Sequence, residues 1–403
     1  MKILHCSDTH LGKKPFGNIE YSEKRYKDYF NAFENIVDFA IVEKIEVFMI
    51  AGDFFDKKEL LPSTLSYAEN ILKKLKEARI KTLMIEGNHD NISKGQEINS
   101  WINYLEEKEY FKRLSYKVEV VENKEEYIFE KEKIGDINFF GLGYPGHNIN
   151  NVMTELSNQL DAKNNNIVMV HTAIAEGDFL AGTVDKKTVE LFKNKVMYIA
   201  GGHFHSYNFY PKEEPIFFIP GSPEFWNIQN EVKQKKGFII FDTESKEHKF
   251  YPSKTRNRII KKVEIKSEST SEFKEEFDKL VEGIKINKGE DIVIITLKLE
   301  KDFFVNIKEC EERLNEKGAL KSFIKVIHPK MKNGKENIEI LTTEEIEEKI
   351  IKNWDIFGEK AEEIVEVMGR LKENQIEGNK DDFLELFDSM IEKFLGGEKN
   401  ENK

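Results

Sequence analysis

Val47-Phe48-Met49-Ile50-Ala51-Gly52-Asp53 is the stretch on which the fold turns. Five apolar residues in a row, closed by a glycine and an acid, read as a buried strand that ends in a loop. Four other places in the first half of the chain repeat the pattern. Ile3-Leu4 runs toward Asp8-Thr9-His10, and Thr82 to Ile85 toward Gly87-Asn88-His89-Asp90. Ile167 to Val170 leads into His171, and Met197 to Ala200 toward His203-Phe204-His205. In open α/β folds, sites form beyond the carboxyl ends of such strands, so five loops can bring their side chains to one place.

Around these strands the chain reads as alternating strands and helices to about residue 252. Tyr26, Phe30, Phe33, Val37 and Ala40 recur at helical spacing, as do Leu65, Ala68, Leu72 and Leu75. Short strands follow at Tyr127 to Glu130, Ile137 to Gly141, Ile216 to Ile219 and Gly237 to Phe241. The expected fold is α/β, a two-sheet α/β sandwich over residues 1–252 with helices outside. A basic stretch with Lys254, Arg256, Arg258, Lys261 and Lys262 marks a boundary. Residues 253–335 then predict a small β-α-β-α-β lobe, with strands at Ile259 to Ile265, Asp291 to Glu300 and Phe323 to Ile327. Its helices run over Ser271 to Ile284 and Ile307 to Asn315. Residues 341–397 predict two acidic amphipathic helices, which either dock on the body or present an apolar stripe to a partner.

Composition narrows the class. The chain has 403 residues, ordinary apolar and charged fractions, and a net charge of -12. Residues 341–403 hold 18 acidic against 9 basic side chains, so most of the excess lies in the tail and charge does not exclude DNA. No apolar run approaches the roughly 18 residues that span a bilayer, so no membrane role is expected. With only Cys6 and Cys310, far apart, and no secretory pattern at the start, a cytoplasmic location is expected. No Gly-x-x-x-x-Gly-Lys-[Ser/Thr] run occurs, Gly141-Leu142-Gly143 reads as a strand end, and Ser222 stands in no nucleophile elbow.

The clusters carry the chemistry. Imidazole and carboxylate donors suit manganese, iron or zinc. A spacing of two in Asp8-x-His10 and His203-x-His205 puts both side chains on one side of an extended segment. Asp53 offers two oxygens to bridge a pair of ions, Asn88 a neutral oxygen, and Gly87 a tight turn. Such a pair, about 3.5–4 Å apart, binds a phosphate and lowers the pKa of a shared water. His89 is placed to donate a proton to the leaving oxygen. A lone histidine is more often a hydrogen-bonded packing residue, which is the reading for His5, His147, His248 and His328. Five of the nine histidines, however, fall in the clusters.

In this order the motifs resemble the calcineurin-like metallophosphoesterase superfamily. Cys6 to Gly12, Ala51 to Asp56 and Pro220-Gly221-Ser222-Pro223-Glu224 are similar to the SbcD exonuclease family, which includes double-strand-break repair nucleases. The resemblance implies one metal held by Asp8, His10, Asp53 and His205, and a second by Asp53, Asn88, His171 and His203. His89 is then the catalytic acid or transition-state histidine, while Asp90 and Gly202 shape loops. Asp56, where some relatives carry histidine, points to a bacterial branch. Two Mn2+ ions, or Mg2+ or another divalent ion, are implied. So are 3′–5′ exonuclease and single-strand endonuclease action on duplex ends, single strands and hairpins, as in break and hairpin processing. A homodimer of this chain is implied within a heterotetramer, its tail docked on an SbcC-type coiled-coil ATPase near the nucleoid. Lys13, Lys14, Arg25 and the stretch Lys254 to Lys262 are candidates for DNA contact. The rivals are a small-molecule or cyclic-nucleotide phosphodiesterase on the same site, and a non-catalytic scaffold, which would lack ligands.

Overall fold

Alternate residues of the apolar runs face opposite ways, and this sorts them into layers. In a computed structural model that describes residues 1–90, 100–121, 124–175 and 182–329, two six-stranded sheets lie face to face. The first has the order His248–Pro252, Gly237–Asp242, Lys2–Cys6, Val47–Ala51, Lys81–Ile85, Lys112–Arg113, parallel from Lys2–Cys6 onward. Register is set by Ile3 opposite Val47 and Val47 opposite Lys81. The second sheet has the order Asn208–Tyr210, Phe217–Ile219, Tyr198–Ala200, Asn165–Met169, Ile137–Gly141, Lys131–Ile134.

Ile3, Val47, Met49, Ala51, Leu83 and Ile85 of the first sheet meet Ile167, Met169, Tyr198 and Ala200 of the second in one inner core. The intervening residues Leu4, Phe48, Ile50 and Met84 face the helices Ile19–Val42 and Pro62–Glu77. Val168, Val170 and Ile199 face the helix Ile149–Gln159 on the other side. The expected sandwich is therefore present, with one adjustment. Lys124–Phe129 does not join either sheet but pairs with Tyr116–Val121 as a separate hairpin.

Arg258–Ile265, Ile292–Leu299 and Lys321–Ile327 form a three-stranded parallel sheet, crossed over by the helices Thr270–Glu282 and Ile307–Glu316. This matches the expected β-α-β-α-β order and has its own core around Phe273, Phe277, Ile295 and Leu314. A second, smaller cluster joins the lobe to the body through Tyr21, Phe225, Ile228, Ile292, Ile294 and Leu320. Residues Met1–Pro329 form one compact unit. The two tail helices expected over 341–397 lie outside the described residues. Among the described residues, no helix is long and apolar enough to cross a membrane.

Candidate metal centre

Beyond the strand ends, two loops of the first sheet zip together. Asp8, His10 and Leu11 donate their amides to the carbonyls of Gly52, Asp53 and Phe54 at 3.0, 3.0 and 2.8 Å. From the second sheet, His171 N–H donates to Gly143 O and Gly202 N–H to Thr172 O. His203 N–H donates across to Asp8 Oδ1 and His89 N–H to Asp53 Oδ1, so all five loops meet at one rim.

The way the side chains converge differs from the extended-segment expectation. Asp8, His10, Asp53 and His203 have φ of 53, 44, 49 and 73°, in the left-handed region. Asp, Asn and His tolerate that region better than most residues, yet each such residue still costs about 1–3 kcal/mol. The strained backbone aims donors at a common point that a straight strand would pass by. Gly87 also has a different reason from a tight turn. A Cβ there would overlap both Oδ1 and the backbone nitrogen of Asp53.

Two groups of donors result, with Asp53 in both. His10 Nε2 lies 3.1 Å from His205 Nε2, and ligand atoms of Asp8, His10 and His205 lie within 4.8 Å of one another. On the other side, Asn88 Oδ1 is 3.2 Å from His171 Nε2 and 3.0 Å from His203 Nδ1. Asp53 Oδ2 faces both groups, 3.8 Å from His10 Nε2 and 3.3 Å from His171 Nε2. Its Oδ1 accepts the His89 amide at 2.9 Å. His89 also lies close to His10 and Asp53, with a ligand atom within the same 4.8 Å limit.

These residues fit a pair of cations. His205 Nδ1 donates to Glu231 Oε1 at 2.9 Å, which leaves a bare lone pair on Nε2 facing the His10 ring. The two Nε2 atoms are close enough to share one proton in an N–H···N hydrogen bond, and a bound cation would replace that contact. Burial lowers the pKa of His10, and burial with the charge of His171 lowers that of His203 to about 4, so both favour the neutral, ligating form. Burial works against charge on His171 too, but the adjacent Asp53 carboxylate carries it up to about 9. The same pairing outweighs burial at Asp53 and holds its pKa down.

Asp90 takes the loop-shaping role. Its two oxygens accept the amides of Phe55, Phe54 and Gly87 at 2.8, 2.8 and 3.2 Å. His5 is a packing residue, buried and bonded to Tyr198 Oη and Gly201 O, each at 2.9 Å. His248 packs on Phe218, and His328 pairs with Asp302 at the surface. Ser222 is buried and donates to Glu224 O.

The DNA-contact candidates need correction. Arg25 is 1% exposed, its guanidinium bonded to Asp28 at 2.9 Å, Glu224 at 3.1 Å and Phe225 O at 2.9 Å. Arg256 clamps Asp28 with two bonds of 2.7 Å and also pairs with Glu290. Arg258 stacks on Phe225, 3.4 Å from its ring centre. Arg256 and Arg258 join the lobe to the body and Arg25 is locked inside the body, so none is a free cation, whereas Lys14, Lys254, Lys261 and Lys262 are exposed. Sequence reasoning also missed Tyr144, whose ring centre is 5.6 Å from that of His203, and Trp226, 5.5 Å from that of His205. Only their nearness to the strand end at Gly141 and to the Pro220 to Glu224 motif would have flagged them.

The paired α/β sheets and the cluster of histidines and carboxylates at their carboxyl rim are those of a metal-dependent phosphoesterase. The chain belongs to the calcineurin-like phosphoesterase family, whose model matches residues 1–207. It is 26% identical over 333 residues to the DNA double-strand break repair protein Mre11 of Methanosarcina acetivorans, covering 81% of this chain and 50% of that one. The protein of that name from Sulfurisphaera tokodaii is 28% identical, covering 71% of this chain and 70% of that one. The one from Saccharolobus solfataricus is 30% identical, covering 60% of each chain. The chain spans about half the length of the first of these relatives.

Proposed function

We propose that this protein is a DNA nuclease that hydrolyses phosphodiesters at duplex ends, hairpins and single strands, with two manganese ions as its metals. The observation that carries the reading is the convergence of Asp8, His10, Asp53, Asn88, His171, His203 and His205 into two donor groups sharing Asp53. The similarity to proteins named for double-strand break repair supports DNA as the substrate.

Asp8, His10, Asp53 and His205 would hold one ion, and Asp53, Asn88, His171 and His203 the other. When bound, the ions supply Lewis-acid polarisation of the phosphodiester and a lowered pKa for the attacking water. The protein does the positioning. Ser7 Oγ and the His203 amide hold the two oxygens of Asp8, at 2.5 and 3.0 Å. Ala51 O fixes the His171 ring through Nδ1 at 2.8 Å. His89, outside both sets, donates Nδ1–H to Asp56 O and keeps Nε2 for the leaving oxygen.

In this reading residues 253–335 form a capping lobe over the nuclease domain, residues 1–252. Residues 341–397 dock on an SbcC-type coiled-coil ATPase, and the chain pairs with a second copy in the assembly. The work takes place in the cytoplasm, on the nucleoid. The test is the purified protein with manganese, offered duplex DNA, single-stranded DNA and a small phosphodiester such as bis(p-nitrophenyl) phosphate. Cleavage of both DNAs supports the reading; hydrolysis confined to the small ester overturns it. Deleting residues 341–403 should leave DNA cleavage in place and abolish binding to the ATPase.

A further inference from the structure

Outside the donor groups, one residue links two carboxylates that stand close to two of the histidines. The backbone N–H of Trp226 donates to Glu231 Oε2 at 3.0 Å, and its indole Nε1–H donates to Asp56 Oδ1 at 3.2 Å. Each acid then meets one histidine and one lysine. Glu231 accepts from His205 Nδ1 at 2.9 Å and pairs with Lys236 Nζ at 2.7 Å. Asp56 stands 3.4 Å from His10 Nδ1 and 3.4 Å from Lys13 Nζ. The Lys13 ammonium lies 3.6 Å from the centre of the Trp226 ring, which closes the arrangement. Both acids are buried, at 7% and 5% exposure, so these contacts are weakly screened.

The other donor group is built differently. His171 Nδ1 donates to the Ala51 carbonyl, and the carboxylate beside its Nε2 is Asp53 itself. Among the described residues, no carboxylate pairs with the His203 ring, whose Nδ1 faces Asn88 Oδ1. A carboxylate behind an imidazole fixes its tautomer and makes it a stronger donor, and losing such a partner weakens metal affinity about 10–100-fold. In the group holding His10 and His205, Glu231 gives the His205 ring this support, and the Asp56 carboxylate stands 3.4 Å from Nδ1 of His10. This group also includes two carboxylates, Asp8 and Asp53, against Asp53 and the neutral Asn88 in the other.

We propose that Asp56, Glu231 and Trp226 act together as positioning residues that make the Asp8, His10, Asp53, His205 position the tighter of the two. It fills first, and the Asp53, Asn88, His171, His203 position fills second and exchanges with free metal. The inference rests on the ligand assignment of the proposed function.

The test is a titration of the full chain with Mn2+, followed by calorimetry and by the electron paramagnetic resonance signal of free Mn2+. The wild type should take up two ions in separate steps. His205→Ala should remove the tighter step and Asn88→Ala the weaker one. Glu231→Gln and Asp56→Asn should weaken the tighter step about 10–100-fold and leave the weaker step within about twofold. Trp226→Phe, which keeps both acids and loses only the indole donor, should shift the same step in the same direction. It also serves if loss of the Lys236 partner unfolds Glu231→Gln. Two wild-type steps with both loosened equally, with only the weaker one loosened, or with neither changed in folded variants would overturn the inference alone. A wild type that takes up fewer than two ions overturns the ligand assignment as well.

Discussion

The Nδ1 of His89 and the backbone carbonyl oxygen of Asp56 are 2.7 Å apart. A carbonyl only accepts, so this contact commits the Nδ1 proton and makes the Nε2 proton of the imidazolium the one available for transfer. His89→Gln should therefore retain both ions while kcat on DNA falls about 10²–10⁴-fold. Metal stoichiometry and single-turnover cleavage measured on the same preparation check this. Unchanged turnover would exclude His89 as the acid.

Asp53 occupies the centre of the arrangement, its Oδ2 facing His10 and His171 and its Oδ1 holding the His89 amide. Asp53→Asn removes the shared anion from both positions. Uptake should fall below two manganese ions per chain, with cleavage lost in parallel. Full occupancy in this variant, measured by elemental analysis after dialysis, would contradict the shared role.

Metal loading should depend on pH through His171. Burial opposes its charge, but Asp53 raises its pKa to about 9, so the metal-free protein holds a proton there at pH 7.5. An entering cation must displace that proton, and affinity should rise up to about tenfold per pH unit until pH nears 9. The folded-state pKa lies above the ordinary value of 6.5. The proton therefore stabilises the metal-free fold fully below about pH 6.5, and this contribution is lost as pH rises through about 9. Calorimetry in buffers of different ionisation enthalpy counts the released protons; none released at pH 7.5 would refute the pairing.

Arg25 supports the fold. Replacing it with methionine leaves Asp28 and Glu224 buried without their shared cation, although Arg256 still clamps Asp28. Arg25→Met should cost about 3–5 kcal/mol in urea unfolding. DNA affinity, measured well below the unfolding transition, should change little; a large loss in a stably folded variant would return Arg25 to the DNA surface.

These contacts mark where the sequence stops being readable. The strands were legible because residues buried on both faces form unbroken apolar runs, as from Val47 to Ala51. The lobe was legible because Phe273, Phe277 and Val281 repeat at helical spacing between two strands. The clustering of these side chains was legible because each follows such a strand. Arg25 was not, since a cation on an amphipathic helix looks like a solvated one until Phe225, 200 residues away, is folded over it. The left-handed turns at Asp8, His10 and His203 arise from loops zipped to distant loops, so no local spacing reports them. Glu231 and Trp226 carry no motif at all; only the geometry joins them to His205 and Asp56.

The central claim is that seven donors at one sheet rim hold two ions that share Asp53. Anomalous diffraction at the manganese edge, from crystals grown with Mn2+, tests it most directly. The account predicts two peaks about 4 Å apart, one among Asp8, His10, Asp53 and His205, the other among Asp53, Asn88, His171 and His203. A single peak, or a peak with His89 as a direct ligand, would contradict it.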